Sequence, residues 1–393
     1  MTEVVQSPLG VLADVAPVNS SVGVYVHVPF CTRRCEYCSF NTAPIGERGV
    51  VTRFLAALAS EIGWLGDAPW ARGLRVETVF LGGGTPSLLE VGEMAEVIAA
   101  IRHAFVVDVD AEITVECNPE SVTRGKLQGF RDAGVNRISL GVQSLDDAIL
   151  PAIGRLHTAG EARAAFEAAR GAGFTNVSVD LIYGLPGLTA ESWQATVDGA
   201  LAWEPEHVSA YGLTLDPGSV WGSSGIAGLP PEEAVVGHYW AMAERAAARG
   251  YEHYEISNYA RPGARSRHNQ IYWRRREYLA CGPGAAGFLG PVRYTNVKPV
   301  ARYSQLLEEG RLPIDTSEHL TDRQALAESL IMALRTADGV DTSLLAARGA
   351  ADAGLRRRLQ AWRDQGLLID TGARSRLTES GFLLSDALFV ELL

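Results

Sequence analysis

The sequence has few cysteines and no long apolar run. Only 5 of its 393 residues are cysteine, which is too few for a disulfide scaffold. No apolar run approaches the ~18 residues of a membrane-spanning helix. No basic cluster precedes an apolar core near the N-terminus, so no secretory signal is predicted and we expect a cytoplasmic protein.

Basic residues are also in deficit. There are 35 of them against 46 acidic residues, which gives a net charge of −11. This charge disfavours nonspecific binding to nucleic acid or to an anionic membrane, because both need clustered positive charge. We therefore expect no nucleic-acid partner and no membrane span, while a peripheral membrane association stays compatible with the composition.

What the chain does contain is a regular alternation of strands and helices. Hydrophobic residues make up 47% of a chain long enough for about two or three domains. Period-2 patterns and their turn residues predict six strands, at 24–28, 76–81, 113–117, 137–140, 177–181 and 207–213. Helical patterns between them imply an α/β fold with a parallel sheet. Six units fit either a partial barrel or an open doubly wound sheet, and both place function at the carboxyl ends of the strands.

Four segments are predicted along the chain. Residues 1–20 form a flexible leader, and residues 21–250 form the α/β domain. Residues 251–317 are aromatic and irregular, and we expect them to close the open side of the sheet. Residues 318–393 combine helices with a short strand, a pattern typical of a winged-helix-like domain. DNA binding by this domain is disfavoured by the acidic total.

Three of the five cysteines are clustered. Cys31, Cys35 and Cys38 follow the first strand with the spacing C-x3-C-x2-C. Three thiolates on one loop can hold three irons of a [4Fe–4S] cubane, which leaves the fourth iron open. A ligand with an amine and a carboxylate on one carbon can chelate that iron. S-adenosylmethionine is such a ligand, and electron transfer into its sulfonium yields a 5′-deoxyadenosyl radical.

A structural zinc site is the alternative for these cysteines. Zinc needs four ligands, and Cys117, Cys281 or His27 could supply the last one. Such a site would make the chain a metal-stabilised interaction module.

The cysteine segment resembles the radical SAM superfamily. From Val24 to the C-terminus, the chain resembles the anaerobic coproporphyrinogen III oxidase-like family and, within it, the HemW branch of heme chaperones. Phe40 stands where many of these proteins have a fourth cysteine, and only 30 residues precede Cys31. Both departures favour the HemW branch over the dehydrogenases. The resemblance implies a partial (β/α)6 radical-SAM barrel with a C-terminal winged-helix-like helical domain.

The resemblance also implies a set of contacts to S-adenosylmethionine. The residues at matching positions are Tyr25, Tyr37, Gly83, Gly84, Thr85, Glu116, Gln143, Arg155 and Asp180. Carboxylates suit the ribose hydroxyls, and a guanidinium suits the methionine carboxylate. Taken singly, the glycines would also fit a tight strand–helix turn, the polar residues a helix cap or the surface, and the tyrosines a core.

A second motif concerns heme. The family carries an H-N-x-x-Y-W signature, which His268, Asn269, Tyr272 and Trp273 match. The resemblance implies heme binding there, and neutral imidazole is a good axial ligand for heme iron. The alternative is a hydrogen-bonded structural histidine that closes the barrel. Two residues depart from the family. Ser266 stands where the family often has cysteine, and Ala286 stands where it usually has histidine.

The resemblance implies a heme chaperone that binds heme and delivers it to target hemoproteins, with heme or a porphyrin, an electron donor and heme-receiving proteins as partners. The alternative is an oxygen-independent coproporphyrinogen III dehydrogenase, which oxidatively decarboxylates propionate side chains to give protoporphyrinogen IX.

Overall fold

The computed structural model describes residues 9–390. None of the helices in this range is long and apolar enough to cross a membrane. The strands are β1 (Ser21–Val28), β2 (Phe30–Cys31), β3 (Ala43–Pro44), β4 (Arg75–Gly83), β5 (Val106–Cys117), β6 (Arg137–Gln143), β7 (Val177–Tyr183), β8 (His207–Gly212), β9 (Glu252–Glu255), β10 (Asn258–Ala260), β11 (Tyr278–Cys281), β12 (Ala286–Leu289), β13 (Val292–Asn296), β14 (Ile314–His319), β15 (Val340–Asp341), β16 (Leu368–Thr371) and β17 (Arg374–Leu377).

The α-helices lie mostly between the strands. They are α1 (Arg48–Gly66), α2 (Val91–Ala104), α3 (Arg124–Ala133), α4 (Ile149–Ala152), α5 (Ala159–Gly171), α6 (Ala190–Ala202), α7 (Val220–Ser224), α8 (Glu232–Ala248), α9 (Arg267–Trp273), α10 (Val300–Glu308), α11 (Asp322–Leu334), α12 (Thr342–Ala351), α13 (Ala353–Asp364), α14 (Glu379–Leu383) and α15 (Ser385–Val390). Short 3-10 helices occur at Gly10–Leu12, Pro69–Ala71, Pro86–Leu88 and Pro119–Ser121.

The main sheet has twelve strands in the order β14-β13-β12-β11-β1-β4-β5-β6-β7-β8-β10-β9. The six predicted strands are its central parallel strands β1, β4, β5, β6, β7 and β8. The predicted α/β fold with a parallel sheet is therefore confirmed. In the described part of the chain the edge strands β9 and β14 do not pair with each other, so the barrel stays open, as the count of six units predicted.

Each central strand has an apolar face towards the helices and a more polar face towards the inside of the barrel. On β6, the side chains of Ile138, Leu140 and Val142 belong to the main hydrophobic core. Arg137 and Ser139 alternate with them and line the interior. A barrel interior is usually filled by branched apolar side chains. A polar interior therefore indicates a place kept for ligands.

The region predicted to close the sheet also extends it. β11 pairs in parallel with β1, with Tyr25 opposite Ala280, and β12 to β14 continue this edge in antiparallel fashion. β10 and β9 extend the opposite edge beyond β8. Helix α9 packs against β1 and β4. The predicted domain boundaries stay a prediction.

Residues 1–8 of the predicted leader lie outside the described residues. From Leu9 onward the segment packs on the domain rather than extending from it. Leu12 is buried, its carbonyl accepts from Trp70 Nε1 at 2.7 Å, and the backbone of Val18 donates to Glu277. The chain therefore enters the first strand from a fixed position.

Residues beyond β14 form a smaller unit with its own core. Helices α11 to α15 surround a three-stranded sheet of order β15-β17-β16. Its core includes Leu334, Trp362 and Phe382, and Tyr239 of α8 joins the same cluster. The predicted combination of helices with a short strand is present here, and the structure has three short strands, β15, β16 and β17, where one was predicted.

Candidate functional site

The cysteine loop begins at the carboxyl end of the first strand. β2 and β3 close its base as a short parallel ladder, with Cys31 opposite Pro44. Beyond Cys38, the side-chain amide of Asn41 donates to the carbonyls of Pro283 and Lys298, each at 2.8 Å. The Asn41 carbonyl is bonded to His27 Nε2 at 2.8 Å. Both ends of the loop are therefore fixed to the sheet and to the turn after β11.

The three predicted ligand thiols line one cavity of about 300 Å³, within the range of small-molecule sites. Thr85 Oγ1 donates to Cys31 Sγ at 3.5 Å. Burial raises the pKa of Cys31 to about 11, and burial also raises the pKa of Cys38. A metal or cluster must therefore displace protons from these sulfurs when it binds.

The alternative zinc ligands differ in position. Cys117 lines the same cavity, but its buried thiol donates to the Val115 carbonyl at 3.8 Å. Cys281 is fully buried and does not line the cavity, and both ring nitrogens of His27 are hydrogen bonded, to Tyr25 Oη and to Asn41. Within residues 9–390, no group of three or more His, Cys, Asp or Glu side chains, the three clustered cysteines included, converges to hold a single metal ion. A cubane cluster differs, because each thiolate binds a separate iron.

The glycine run after β4 packs against the cysteine loop. A Cβ atom on Gly84 would lie 2.7 Å from the Pro29 carbonyl carbon, and Gly83 has a left-handed φ of +105°. Both positions therefore require glycine. The Gly84 amide donates to the Val28 carbonyl at 2.8 Å, and the Thr85 amide donates to the Phe30 carbonyl at 2.7 Å. The run thus forms a tight strand–helix turn and also a wall of the cavity. The structural interpretation of this motif and the cofactor-binding one are therefore compatible.

Two half-buried carboxyl groups line the cavity. Glu116 Oε2 accepts from the Gly83 amide at 3.0 Å. Burial, with the nearby charge of Asp180, raises the pKa of Glu116 to about 7. Asp180 accepts hydrogen bonds from three serine hydroxyls, and burial raises its pKa. Such carboxyls can accept hydrogen bonds from ribose hydroxyls.

Arg155 and Gln143 occupy the same end of the sheet. Arg155 Nη2 donates to Asn118 Oδ1 at 2.7 Å and to the Gly141 carbonyl at 2.6 Å, whereas its Nε is buried without a partner. Gln143 has a left-handed φ of 66°, which is uncommon outside glycine. This backbone turns the chain out of β6 at the cavity wall. The Arg155 Nε remains available as a donor towards a ligand.

Of the twelve residues predicted for the cluster and S-adenosylmethionine, all but Tyr25 line this cavity. Tyr25 lines a second, inner cavity, and its hydroxyl is 3.0 Å from His27 Nδ1. The structure adds cavity residues that were not predicted: Asn118, Ser139, Gly141 and Tyr211. For Ser139, Gly141 and Tyr211 the signal was the alternation along β6 and β8, which places every second residue inside the barrel, whereas Asn118 directly follows the carboxyl end of β5.

The residues of the second motif separate. His268 and Tyr272 line the inner cavity, whereas Trp273 lines a groove between α9 and the C-terminal unit. His268 Nδ1 is bonded to Thr78 Oγ1 at 2.7 Å and Nε2 to Tyr272 Oη at 2.8 Å. Burial lowers the pKa of His268 to about 3. This geometry favours the structural interpretation, while heme ligation stays a prediction.

The two departures from the family have different surroundings. Ser266 is buried and caps α9, since its side chain accepts from the Asn269 amide at 3.3 Å. Ala286 is exposed at the start of β12 and does not line either cavity. Ser266 therefore has a local structural role of its own.

Known proteins match nearly the whole length of the chain. The radical SAM superfamily pattern matches residues 25–200, and that of the HemN C-terminal domain matches residues 320–384. The chain is 38% identical to heme chaperone HemW of Mycobacterium tuberculosis, with 97% of each chain covered. It is 33% identical to heme chaperone HemW of Bacillus subtilis, with 93% of this chain and 97% of the relative covered. This chain belongs to the HemW family of the radical SAM superfamily.

The fold agrees with this membership. Coproporphyrinogen III oxidase (HemN) from Escherichia coli, a radical SAM enzyme, superposes with a TM-score of 0.83 at 24% identity, covering 99% of this chain and 91% of that one. At this identity the likeness concerns the fold. Radical SAM proteins hold a [4Fe–4S] cluster and bind S-adenosylmethionine, so both are cofactors of this family member. The three soft sulfur donors on one cavity wall, and the unpaired Arg155 Nε beside them, fit this pair of cofactors.

Proposed function

We propose that this HemW family member is a heme chaperone that binds heme and delivers it to target hemoproteins. The observation that carries the proposal is its similarity to two heme chaperones over nearly the entire length of all three chains. We further propose that Cys31, Cys35 and Cys38 hold the cluster. An electron donor and heme-receiving proteins belong to the proposal as partners.

We propose a division of labour among the cavity residues. Arg155 and the wall formed by Gly83, Gly84 and Thr85 bind the amino-acid end of S-adenosylmethionine, because a guanidinium pairs well with a carboxylate. Glu116 and Asp180 accept from the ribose hydroxyls. Gln143, Tyr37 and Tyr25 complete the set. When bound, the cluster supplies a redox centre with one open iron. The chain's own part is to orient the nucleoside beside it.

Heme binding involves a surface that the cofactor cavity does not supply by itself. Tyr272 also lines an outer groove with Tyr278 and Phe288, and Trp273 lines the groove beside the C-terminal unit. Aromatic faces in such open grooves suit contact with a porphyrin. For His268 to reach an iron, it would have to give up its bond to Thr78 or to Tyr272. We therefore propose that the aromatic residues of the motif support the heme site. Whether His268 is the axial ligand requires a separate test.

The test is a heme titration of the anaerobically reconstituted protein, followed by transfer to an apo-hemoprotein. We expect a saturable Soret band and a time-dependent appearance of the holo-hemoprotein spectrum. Serum albumin loaded with heme serves as the control donor. No stable heme complex in the wild type would reject the proposal.

The dehydrogenase is the second candidate, and the assembled cofactor cavity favours it, because such an enzyme needs the same site. Anaerobic incubation with reductant, S-adenosylmethionine and coproporphyrinogen III distinguishes the two functions. We expect no protoporphyrinogen from protein with an intact cluster. Its formation at many turnovers would establish the enzyme.

A further inference from the structure

The barrel encloses a second cavity of about 230 Å³ on the inner side of the cofactor cavity. The two cavities share six lining residues: Phe40, Gly83, Glu116, Ser139, Asp180 and Tyr211. A ligand group can therefore pass from one to the other along this polar boundary. Glu116, Asp180 and Tyr25 of its lining are proposed to contact S-adenosylmethionine, but no ligand is assigned to the part of the cavity around Arg137.

Arg137 of β6 lines this inner cavity and is 2% exposed. Within residues 9–390 its side chain makes no hydrogen bond or ion pair, and its Nε is buried without a partner. Thr114, its register neighbour on β5, has a buried hydroxyl that also lacks a partner. Glu116 and Asp180 attract this guanidinium from a distance, but a buried cation without hydrogen-bond partners is costly, and proteins normally satisfy such a group.

The neighbouring side chains are occupied elsewhere. The Asp180 carboxylate accepts from Ser139, Ser178 and Ser209, and neither Asp180 nor Glu116 is within ion-pair distance of Arg137. The acceptor that Arg137 lacks is therefore not supplied by these carboxyl groups.

The two histidines of the cavity are occupied as well. His207 is bonded to Ser178 at 2.7 Å and to Tyr254 at 2.8 Å. His268 is bonded to Thr78 and Tyr272. With both ring nitrogens engaged, neither histidine offers Arg137 an acceptor, so within residues 9–390 the Arg137 guanidinium has no hydrogen-bond partner that a ligand would need to displace.

We propose that Arg137 binds a carboxylate group of a ligand that enters the inner cavity from the cofactor cavity. The planar guanidinium fork matches a carboxylate in geometry. Glu116 and Asp180 line the same cavity and partly offset the charge of Arg137, so they oppose a dianion such as phosphate more strongly than a monoanion. A cavity of this size holds a small acid or one acidic side arm, not a porphyrin macrocycle.

Two sources can supply this carboxylate. One is a free small carboxylic acid. The other is a propionate arm of a heme-type tetrapyrrole, and this source alone rests on the proposed function. The shared chemistry is the carboxylate at Arg137, and the experiment separates the two sources.

In the first arm, the reconstituted protein is titrated calorimetrically with sodium propionate at constant ionic strength. We expect saturable binding that Arg137→Gln weakens by roughly tenfold or more, since hydrogen bonds to charged groups are the strong ones. Arg163→Gln, on the exposed side of α5, should bind like wild type. Arg137→Lys keeps the charge without the fork and should be intermediate, which preserves the test if the glutamine variant does not fold.

In the second arm, heme and heme dimethyl ester are compared by their Soret bands in wild type and Arg137→Gln. If a propionate arm is the source, esterification and the substitution weaken binding by the same factor and do not add. If a free acid is the source, heme and ester bind both proteins alike, whereas propionate binding depends on Arg137. Either result supports the proposal.

The proposal for Arg137 would be overturned if Arg137→Gln bound both propionate and heme as tightly as the wild type does. The effect of S-adenosylmethionine on the EPR spectrum should persist in Arg137→Gln, which shows that the cofactor cavity is intact. If heme fails to bind the wild type at all, the proposed function falls, while the propionate titration still decides the role of Arg137.

Discussion

Arg155 Nη1 lies 3.9 Å from Cys35 Sγ, so the guanidinium that closes the cavity also faces one of the three clustered sulfurs. The Cys35 thiol in turn approaches the Gly154 carbonyl at 3.8 Å. The turn after α4 therefore holds the cysteine loop from the side opposite the glycine run. A residue proposed to bind the cofactor thereby also fixes the loop that binds the cluster.

Serine in place of Cys31, Cys35 or Cys38 should reduce the iron and sulfide content of reconstituted protein to background, because the hydroxyl is a poor donor to iron. The matched control is Cys117→Ser, which changes a buried thiol that lines the same cavity. Iron, sulfide and EPR measurements on all four variants check this. A full cluster in any of the first three variants would contradict the assignment.

Arg155→Gln should weaken binding of S-adenosylmethionine by roughly tenfold or more, because a charge-assisted pair with the methionine carboxylate is lost. The measurement is the EPR change of the reduced cluster as S-adenosylmethionine is added. Arg163→Gln is the control, since its ion pair lies on the surface. Equal affinity in Arg155→Gln and wild type, with equal cluster content, would show that the carboxylate binds elsewhere.

His268→Ala should lower the free energy of unfolding by about 2 kcal/mol, because it leaves Thr78 and Tyr272 without their buried partner. We expect heme affinity to stay unchanged, since both ring nitrogens serve the barrel. Urea denaturation and Soret titration measure the two effects, with the exposed His103→Ala as control. A lost Soret complex with unchanged stability would identify His268 as the heme ligand instead.

The stability of the contact between α8, β9 and α14 should depend on pH. Glu379 accepts from His253 at 2.6 Å and from Tyr239 at 2.8 Å. Burial acts to raise the pKa of Glu379, but these hydrogen bonds and the charge of His253 hold it below its ordinary value. The stabilisation is therefore complete when the pH is above the ordinary pKa that Glu379 has in the unfolded chain. It is lost as the pH falls through the lower pKa that Glu379 has in the folded protein.

Glu379→Gln should remove this acid dependence and weaken the contact by about 1 kcal/mol, typical of a hydrogen bond to a partly exposed charged group. Hydrogen exchange of α14 between pH 3 and pH 7, a range chosen on the scale of carboxyl pKa values, measures it. Asp386→Asn, which breaks an exposed ion pair with Arg335, is the control. Identical acid profiles for wild type and Glu379→Gln would place the sensitivity elsewhere.

The parallel core and the edge that carries the cofactor cavity could be predicted from local signals, namely the period-2 patterns of six strands and the clustered cysteines after the first of them. The individual contacts to S-adenosylmethionine were implied by the family resemblance. Parallel strands bring those ends to one edge whatever the rest of the chain does. Residues distant in sequence, such as Cys31 and Asp180, could thus be assigned to one site without a structure.

The contents of the barrel could not be predicted in this way. No local pattern shows that β11 pairs with β1, since that pairing joins segments some 250 residues apart. Nor does one show that α9 inserts His268 beneath the sheet with both nitrogens bonded. Arg137 appeared as one residue of a strand, and its burial without a partner depends on side chains from other strands. Such relations arise from packing between distant elements, which sequence periodicity does not encode.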